Sequence, residues 1–104
     1  MGFFNFSSGP DINALMEEAS EREGSVVIDV RTEEEFSQGH IAGSINIPMD
    51  KINKIINEYS KTTPLYIYCL SGARSDNVVS FLEDLGYNAI DMGGIMNWEG
   101  TVEL

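Results

Sequence analysis

The sequence predicts a single α/β domain, in which a central parallel sheet of about four to five strands is flanked by helices on both faces. The chain has 104 residues, the size of one ordinary domain. Its short β-branched runs alternate with segments whose apolar residues recur at helical spacing. No repeat or Pro/Gly-rich linker divides it. We therefore expect one domain over residues 1–104, with about residues 1–10 as an N-terminal extension.

The first half of the chain contains two predicted helices and two predicted strands. Residues 11–21 form a helix, because apolar residues share one of its faces. Residues 26–30 are a β-branched run typical of a strand covered on both sides. Thr32 with Glu35 three residues later is a capping box, which predicts the start of a short helix. Residues 44–47 predict the second strand.

The second half continues the alternation. A helix is predicted around residues 52–59, where apolar residues share one face, and a strand over residues 65–68. The chain then turns sharply through residues 69–74. Ser75 is predicted to cap the N-terminus of the next helix, and Gly86 to close it in a left-handed conformation. The turn is thus expected to join a buried strand to a helix N-terminus.

The last predicted elements are a strand over residues 89–92 and a helical turn over residues 95–98, with Gly93-Gly94 expected to break the strand between them. In doubly wound sheets, ligands bind at the carboxyl ends of the strands. Residues 29–31, Asp-Val-Arg, and the turn at residues 69–74 both follow such ends. We expect the two segments to lie close together.

The charge of the chain excludes several classes of partner. Six Lys and Arg against 17 Asp and Glu give a net charge of −11. Nucleic acids and anionic membrane surfaces would be repelled by this field, so neither is expected as a partner. A small anionic substrate would need a local positive pocket acting within a Debye length of about 8–10 Å.

A single cysteine narrows the chemistry further. One thiol excludes an internal disulfide, and no Cys/His cluster suggests a structural zinc ion. A free thiol and the lack of signal-peptide features in the first seven residues predict a cytoplasmic protein. We expect a monomer without metal ions or organic cofactors.

The turn after the third strand is the strongest candidate for chemistry. Gly72 permits sharp curvature, so that successive backbone N–H groups point towards Cys69. The following helix adds roughly half a positive charge and Arg74 a whole one, which favours a thiolate. A histidine base is then unnecessary, and His40 need not be catalytic. Two alternatives remain: Cys69 is an inert small hydrophobe, or Arg74 forms a surface salt bridge.

Four segments in order resemble the rhodanese family of sulfurtransferases: residues 27–36, 39–48, 68–75 and 93–98. The resemblance implies a parallel sheet flanked by helices and a cysteine that takes sulfane sulfur as a persulfide. The donor would be thiosulfate or a small-molecule or protein persulfide, and the acceptor a thiol or cyanide. By this resemblance Cys69 is the catalytic residue. The substrate-binding residues are Leu70, Ser71, Gly72, Ala73 and Arg74.

The loop also separates the related alternatives. Six residues from Cys69 to Arg74 match the sulfurtransferase type of loop, whereas the related phosphatases would need arginine at position 75, where Ser75 stands. Leu70 departs from the family pattern, because many active members have arginine or lysine there. We therefore expect weak affinity for thiosulfate and a persulfide as the better donor. A non-catalytic rhodanese-like binding or sulfur-carrier module remains an alternative, and a phosphatase a weaker one.

Other polar and aromatic residues are interpreted as structural. Asp29 and Arg31 are expected to form ion pairs near the loop, and His40 to cap a turn. Trp98 is expected to pack in the core. The acidic run at residues 33–35 is interpreted as a helix start rather than a metal site.

Overall fold

A four-stranded parallel sheet with helices on both sides forms the centre of the computed structural model, which describes residues 9–104. The helices are α1 (Ile12–Glu21), α2 (Glu33–Ser37), α3 (Asn53–Glu58) and α4 (Ala73–Asp84). The strands are β1 (Val26–Asp29), β2 (His40–Ile41), β3 (Ile45–Asn46), β4 (Leu65–Cys69), β5 (Ala89–Gly94) and β6 (Val102–Glu103). Short 3₁₀ helices cover Met49–Lys51 and Ile95–Asn97. The predicted fold class is confirmed, whereas the predicted extension lies outside the described residues except for Gly9 and Pro10.

The strand order β3-β1-β4-β5 places β4 inside the sheet between β1 and β5. All three pairings are parallel, and Asp29 at the end of β1 lies opposite Tyr68 in β4. The carboxyl ends of β1 and β4 therefore meet at one edge, as the sequence predicts. Strands β2 and β6 form a separate antiparallel pair that the sequence does not predict.

Alternation along β4 divides the core into two layers. Leu65, Ile67 and Cys69 pack on the side of α3 and α4, while Tyr66 and Tyr68 pack on the side of α1. All five side chains are at most 1% exposed. Because Cys69 is the last residue of this buried strand, its sulfur is delivered to the beginning of α4.

The predicted helix ends are mostly found. Asp11 caps α1 by accepting hydrogen bonds from the N–H groups of residues 13 and 14. Thr32 and Glu35 form both halves of the capping box at α2. Gly86 follows α4 with a φ of +91°, in the left-handed region that favours glycine. Across residues 9–104, no helix combines the length and apolar content needed to cross a membrane.

Two predicted boundaries are wrong. Ser75 is not the N-cap of α4, because Gly72 takes that position with a φ of +112° and the helix begins at Ala73. Gly93 and Gly94 do not break the last strand, which continues through both. An irregularity in the pairing with β4 falls between Ile67 and Tyr68 and shifts the register by one residue, after which Tyr68 pairs with Gly93.

The hydroxyl of Tyr68 ties the sheet to the segment that contains β2. It accepts a hydrogen bond from the N–H of Ile41 at 3.0 Å and lies 2.9 Å from Oγ of Ser44. Ser44 in turn donates to the carbonyl of Ile41 at 2.7 Å. Burial raises the pKa of Tyr68 to about 12, so the phenol stays neutral.

Substitution of Tyr68 by phenylalanine tests this network. Because it leaves the buried N–H of Ile41 without its acceptor, Tyr68→Phe should lower the free energy of unfolding by about 1–3 kcal/mol. Tyr59→Phe is the control, since Tyr59 follows α3 and is only half-buried. Its expected effect is within about 0.5 kcal/mol. Equal urea midpoints for the two variants would contradict the assignment.

Candidate active site

The sulfur of Cys69 is held by backbone N–H groups at the start of α4. Sγ accepts a hydrogen bond from the N–H of Gly72 at 3.0 Å and from that of Ser75 at 3.3 Å. Both groups belong to the first four N–H groups of the helix, which have no acceptor within it. The helix dipole directs partial positive charge to the same place. The structure thus places the predicted nest around the only cysteine of the chain.

Ser75 contributes a side chain as well as its N–H. Its buried hydroxyl lies 3.5 Å from Sγ of Cys69 and 2.8 Å from Oδ1 of Asp91, to which it donates. The same oxygen of Asp91 accepts from the N–H of Gly93 at 2.9 Å. Ser75 and Asp91 therefore join α4 to β5 directly beside the thiol. The sequence does not indicate that Asp91 lies at this site, since it is 22 positions away from Cys69.

Gly94 makes room for the loop. A Cβ atom on this residue would collide with the carbonyl oxygen of Leu70 and would lie 2.7 Å from Cα of Ser71. The loop can therefore pass over β5 at this height only because position 94 has no side chain. Gly93-Gly94, at the start of the segment over residues 93–98, is the sequence signal for this contact, although the pair is interpreted from the sequence as a strand break.

Arg74 is engaged by a carboxylate. Its two terminal nitrogens donate to the two oxygens of Glu35 at 2.8 and 3.0 Å. Both side chains are about one-third exposed, at 33% and 28%. The hydrogen bonds from Arg74, helped by those from Thr32, lower the pKa of Glu35 to about 2, and the hydrogen bond to Glu35 raises the pKa of Arg74. The whole positive charge expected near Cys69 is therefore shared with Glu35, in the salt bridge that the alternative anticipates.

Leu70 forms an apolar rim on the loop. It is 42% exposed and lies beside Met96, which is 68% exposed and donates its N–H to the carbonyl of Leu70 at 3.2 Å. A polar cavity of about 340 Å³ borders the loop, with Asp76 and Asp91 in its wall. Within residues 9–104, no three His, Cys, Asp or Glu side chains come together as metal ligands.

The residues expected to be structural make the contacts expected of them. Asp29 and Arg31 form a buried ion pair at 2.7 Å. His40 Nδ1 lies 2.9 Å from the carbonyl of Phe36, and the two rings stack at 3.6 Å. Trp98 packs against the core layer on the side of α1. Their hydrogen bonds join one another or the backbone rather than Cys69. Glu33 to Glu35 form the first turn of α2, as predicted.

Comparison with known proteins places this architecture in a family. The sequence model of the protein family described as "Rhodanese-like domain" matches residues 12–101. The chain is 31% identical over 103 residues to the putative sulfur carrier protein YrkF of Bacillus subtilis, with 95% of this chain and 56% of YrkF covered. It is 35% identical over 91 residues to the putative sulfurtransferase YtwF of the same organism, with 86% and 88% covered. The chain thus spans about half the length of YrkF and most of YtwF.

A solved structure agrees with the sequence relatives. The crystal structure of a Rhodanese-like Domain Protein from Staphylococcus aureus superposes with a TM-score of 0.80 at 34% identity, covering 91% of this chain and 95% of that one. The family match, the relatives and the shared fold span nearly all of the described residues. The chain belongs to the rhodanese-like domain family.

Proposed function

We propose that the protein is a sulfurtransferase that carries sulfane sulfur on Cys69 as a persulfide and passes it to a thiol or to cyanide. The observation that carries this proposal is the pair of backbone N–H groups, from Gly72 and Ser75, that meet at Sγ. Such donors can stabilise negative charge on the sulfur when it acts as a nucleophile or leaving group. Relatives named as sulfurtransferases support the same class of activity.

In the first step, the thiolate of Cys69 attacks the outer sulfur of the donor. The new S–S bond forms as the old one breaks, and the old bonding pair leaves with the donor. With thiosulfate as the donor the leaving group would be sulfite, and with a protonated persulfide it would be a thiolate. The protein retains one additional sulfur atom on Cys69, with no oxidant or reductant required.

The persulfide needs hydrogen-bond donors for its outer sulfur. Within residues 9–104, the N–H groups of Ala73 and Arg74 donate to no protein acceptor, and they occupy the first two positions of α4. They are thus available to an additional anionic atom at the helix N-terminus. In the second step, a thiolate or cyanide attacks this outer sulfur, and the electron pair of the broken bond returns to Cys69.

A sulfur-carrier module is the second candidate. YrkF is named as a putative sulfur carrier, and the exposed rim of Leu70 and Met96 beside the loop offers a surface to a protein partner. A carrier would also form the persulfide but would release it only to a specific protein. A phosphatase is less well supported, because Ser75 stands where the longer phosphatase loop needs an arginine.

Mass spectrometry tests the persulfide directly. After incubation with thiosulfate, glutathione persulfide or the persulfide of a cysteine desulfurase, the intact protein should gain about 32 Da, the mass of one sulfur atom. Cyanide should remove this mass and yield thiocyanate. Cys69→Ser is the control and should gain nothing. Absence of the adduct with all three donors would argue for a non-catalytic binding module.

The path of the loop over β5 is tested by Gly94→Ala. The new methyl group must displace Leu70 and Ser71, so sulfur transfer should fall by roughly 10²-fold, the cost of misplacing reacting groups by about 1 Å. Gly86→Ala is the control, because its φ of +91° strains the backbone at the far end of α4. That variant should lose stability but keep the transfer rate. An unaffected rate in Gly94→Ala would exclude this role of Gly94.

The missing second cation of the loop is tested by Leu70→Arg. A positive charge at this position should raise the second-order rate constant for thiosulfate by roughly fivefold, an effect that salt should weaken. Leu85→Arg is the matched control, because Leu85 is 40% exposed, close to the 42% of Leu70, but lies at the end of α4 away from the loop. Equal rates in both variants would show that local charge does not limit the use of thiosulfate.

A further inference from the structure

Glu35, the partner of Arg74, is itself held in place by other hydrogen bonds. Glu35 also accepts hydrogen bonds from the backbone N–H of Thr32 at 2.9 Å and from its hydroxyl at 3.1 Å. The carboxylate is thus fixed by the capping box of α2 before it meets the guanidinium. An Arg74 side chain held at both nitrogens by a fixed partner has little freedom to turn towards a ligand above Cys69.

The surroundings of the loop contain further negative charge. Asp76 lies in the first turn of α4, and Asp91 lies beside Ser75. Both border the polar cavity next to the loop. The helix N-terminus supplies roughly half a positive charge, which suits the single charge of a persulfide sulfur better than the two charges of thiosulfate. A dianion would need the charge of Arg74, which Glu35 already neutralises.

We propose that Glu35 determines which sulfur donors the site accepts. By holding Arg74, Glu35 disfavours the binding of dianions such as thiosulfate and favours persulfides, in which the transferable sulfur is bonded to the sulfur of an organic thiol. This inference rests on the proposed persulfide chemistry of Cys69. The exposed side chains of Leu70 and Met96 fit the same class of donor, since they offer apolar contact to the organic part of a thiol. Glu35 is a specificity-determining residue in this proposal, acting through Arg74.

Sulfate, an inert dianion, measures the charge of the site without any sulfur transfer. Its dissociation constant can be followed by the amide NMR signals of residues 70–75. Glu35→Gln should bind sulfate roughly fivefold more tightly than the wild type, the size of an ordinary interaction between partly exposed charges. Glutamine keeps the capping box, so α2 should remain intact. Glu35→Met is a second neutral variant should the first fail to fold.

Two matched variants assign the effect to Arg74. Glu34→Gln removes the same charge from an exposed position on the same turn of α2 and should leave sulfate affinity within twofold of the wild type. In the double variant Glu35→Gln/Arg74→Gln, the gain in affinity should disappear. A gain equal to that of Glu34→Gln, or one that persists without Arg74, would overturn the proposal.

Donor preference gives a second readout. The ratio of the rate constants for thiosulfate and glutathione persulfide should rise roughly fivefold in Glu35→Gln. An unchanged ratio contradicts the role of Glu35 while the persulfide chemistry stands. Failure of the persulfide chemistry would instead appear as the absence of the sulfur adduct on the wild type, and the sulfate titration would still decide the charge of the site.

Discussion

Two backbone N–H groups that meet at one sulfur atom are the interaction on which the candidate site depends. The donors come from Gly72 and Ser75, which α4 leaves without helical acceptors. They can reach Sγ because β4 ends at Cys69 and the chain turns into the helix through a left-handed glycine. Gly94 in the neighbouring strand keeps the space under this turn free. Sheet, turn and helix thus position one atom.

The electrostatics of the site are local rather than global. A chain of net charge −11 cannot attract anions by its overall field, so any attraction of a negatively charged sulfur to this site must come from nearby N–H groups and the end of α4. The one guanidinium in the loop is compensated by Glu35. Short-range dipoles therefore dominate, and these suit a single negative charge on a sulfur bonded to Cys69. This balance is the physical reason to expect a persulfide rather than thiosulfate as the preferred donor.

Features encoded by neighbouring residues could be predicted from the sequence. The β-branched run at β1, the capping box from Thr32 to Glu35 and the terminal Gly86 each contain their own signal within a few positions. The alternation of predicted strands and helices is sufficient to predict the parallel sheet. The position of Cys69 directly after the buried run follows from the same reasoning, because Pro64 and that run define the strand; the strand, predicted over residues 65–68, extends by one residue to include Cys69.

Features that depend on distant contacts could not be predicted. Arg74 and Glu35 are 39 positions apart, and either could have paired with other charges. Serine is a residue type favoured at N-caps, but Gly72 can adopt the left-handed conformation and takes the N-cap position three residues before Ser75. Gly93 and Gly94 look like a strand end, yet pairing with β4 continues through them after the shift in register. The salt bridge and the last strand thus depend on tertiary contacts, whereas the start of α4 depends on the left-handed conformation of Gly72.

The central claim is that the first turn of α4 holds a sulfur atom bonded to Cys69, and a crystal structure of the protein after reaction with glutathione persulfide tests it most directly. The outer sulfur should lie within hydrogen-bond distance of the N–H groups of Ala73 and Arg74, with Sγ still bound by Gly72 and Ser75. An outer sulfur that points into solvent away from these groups, or a Cys69 without one, would contradict the claim.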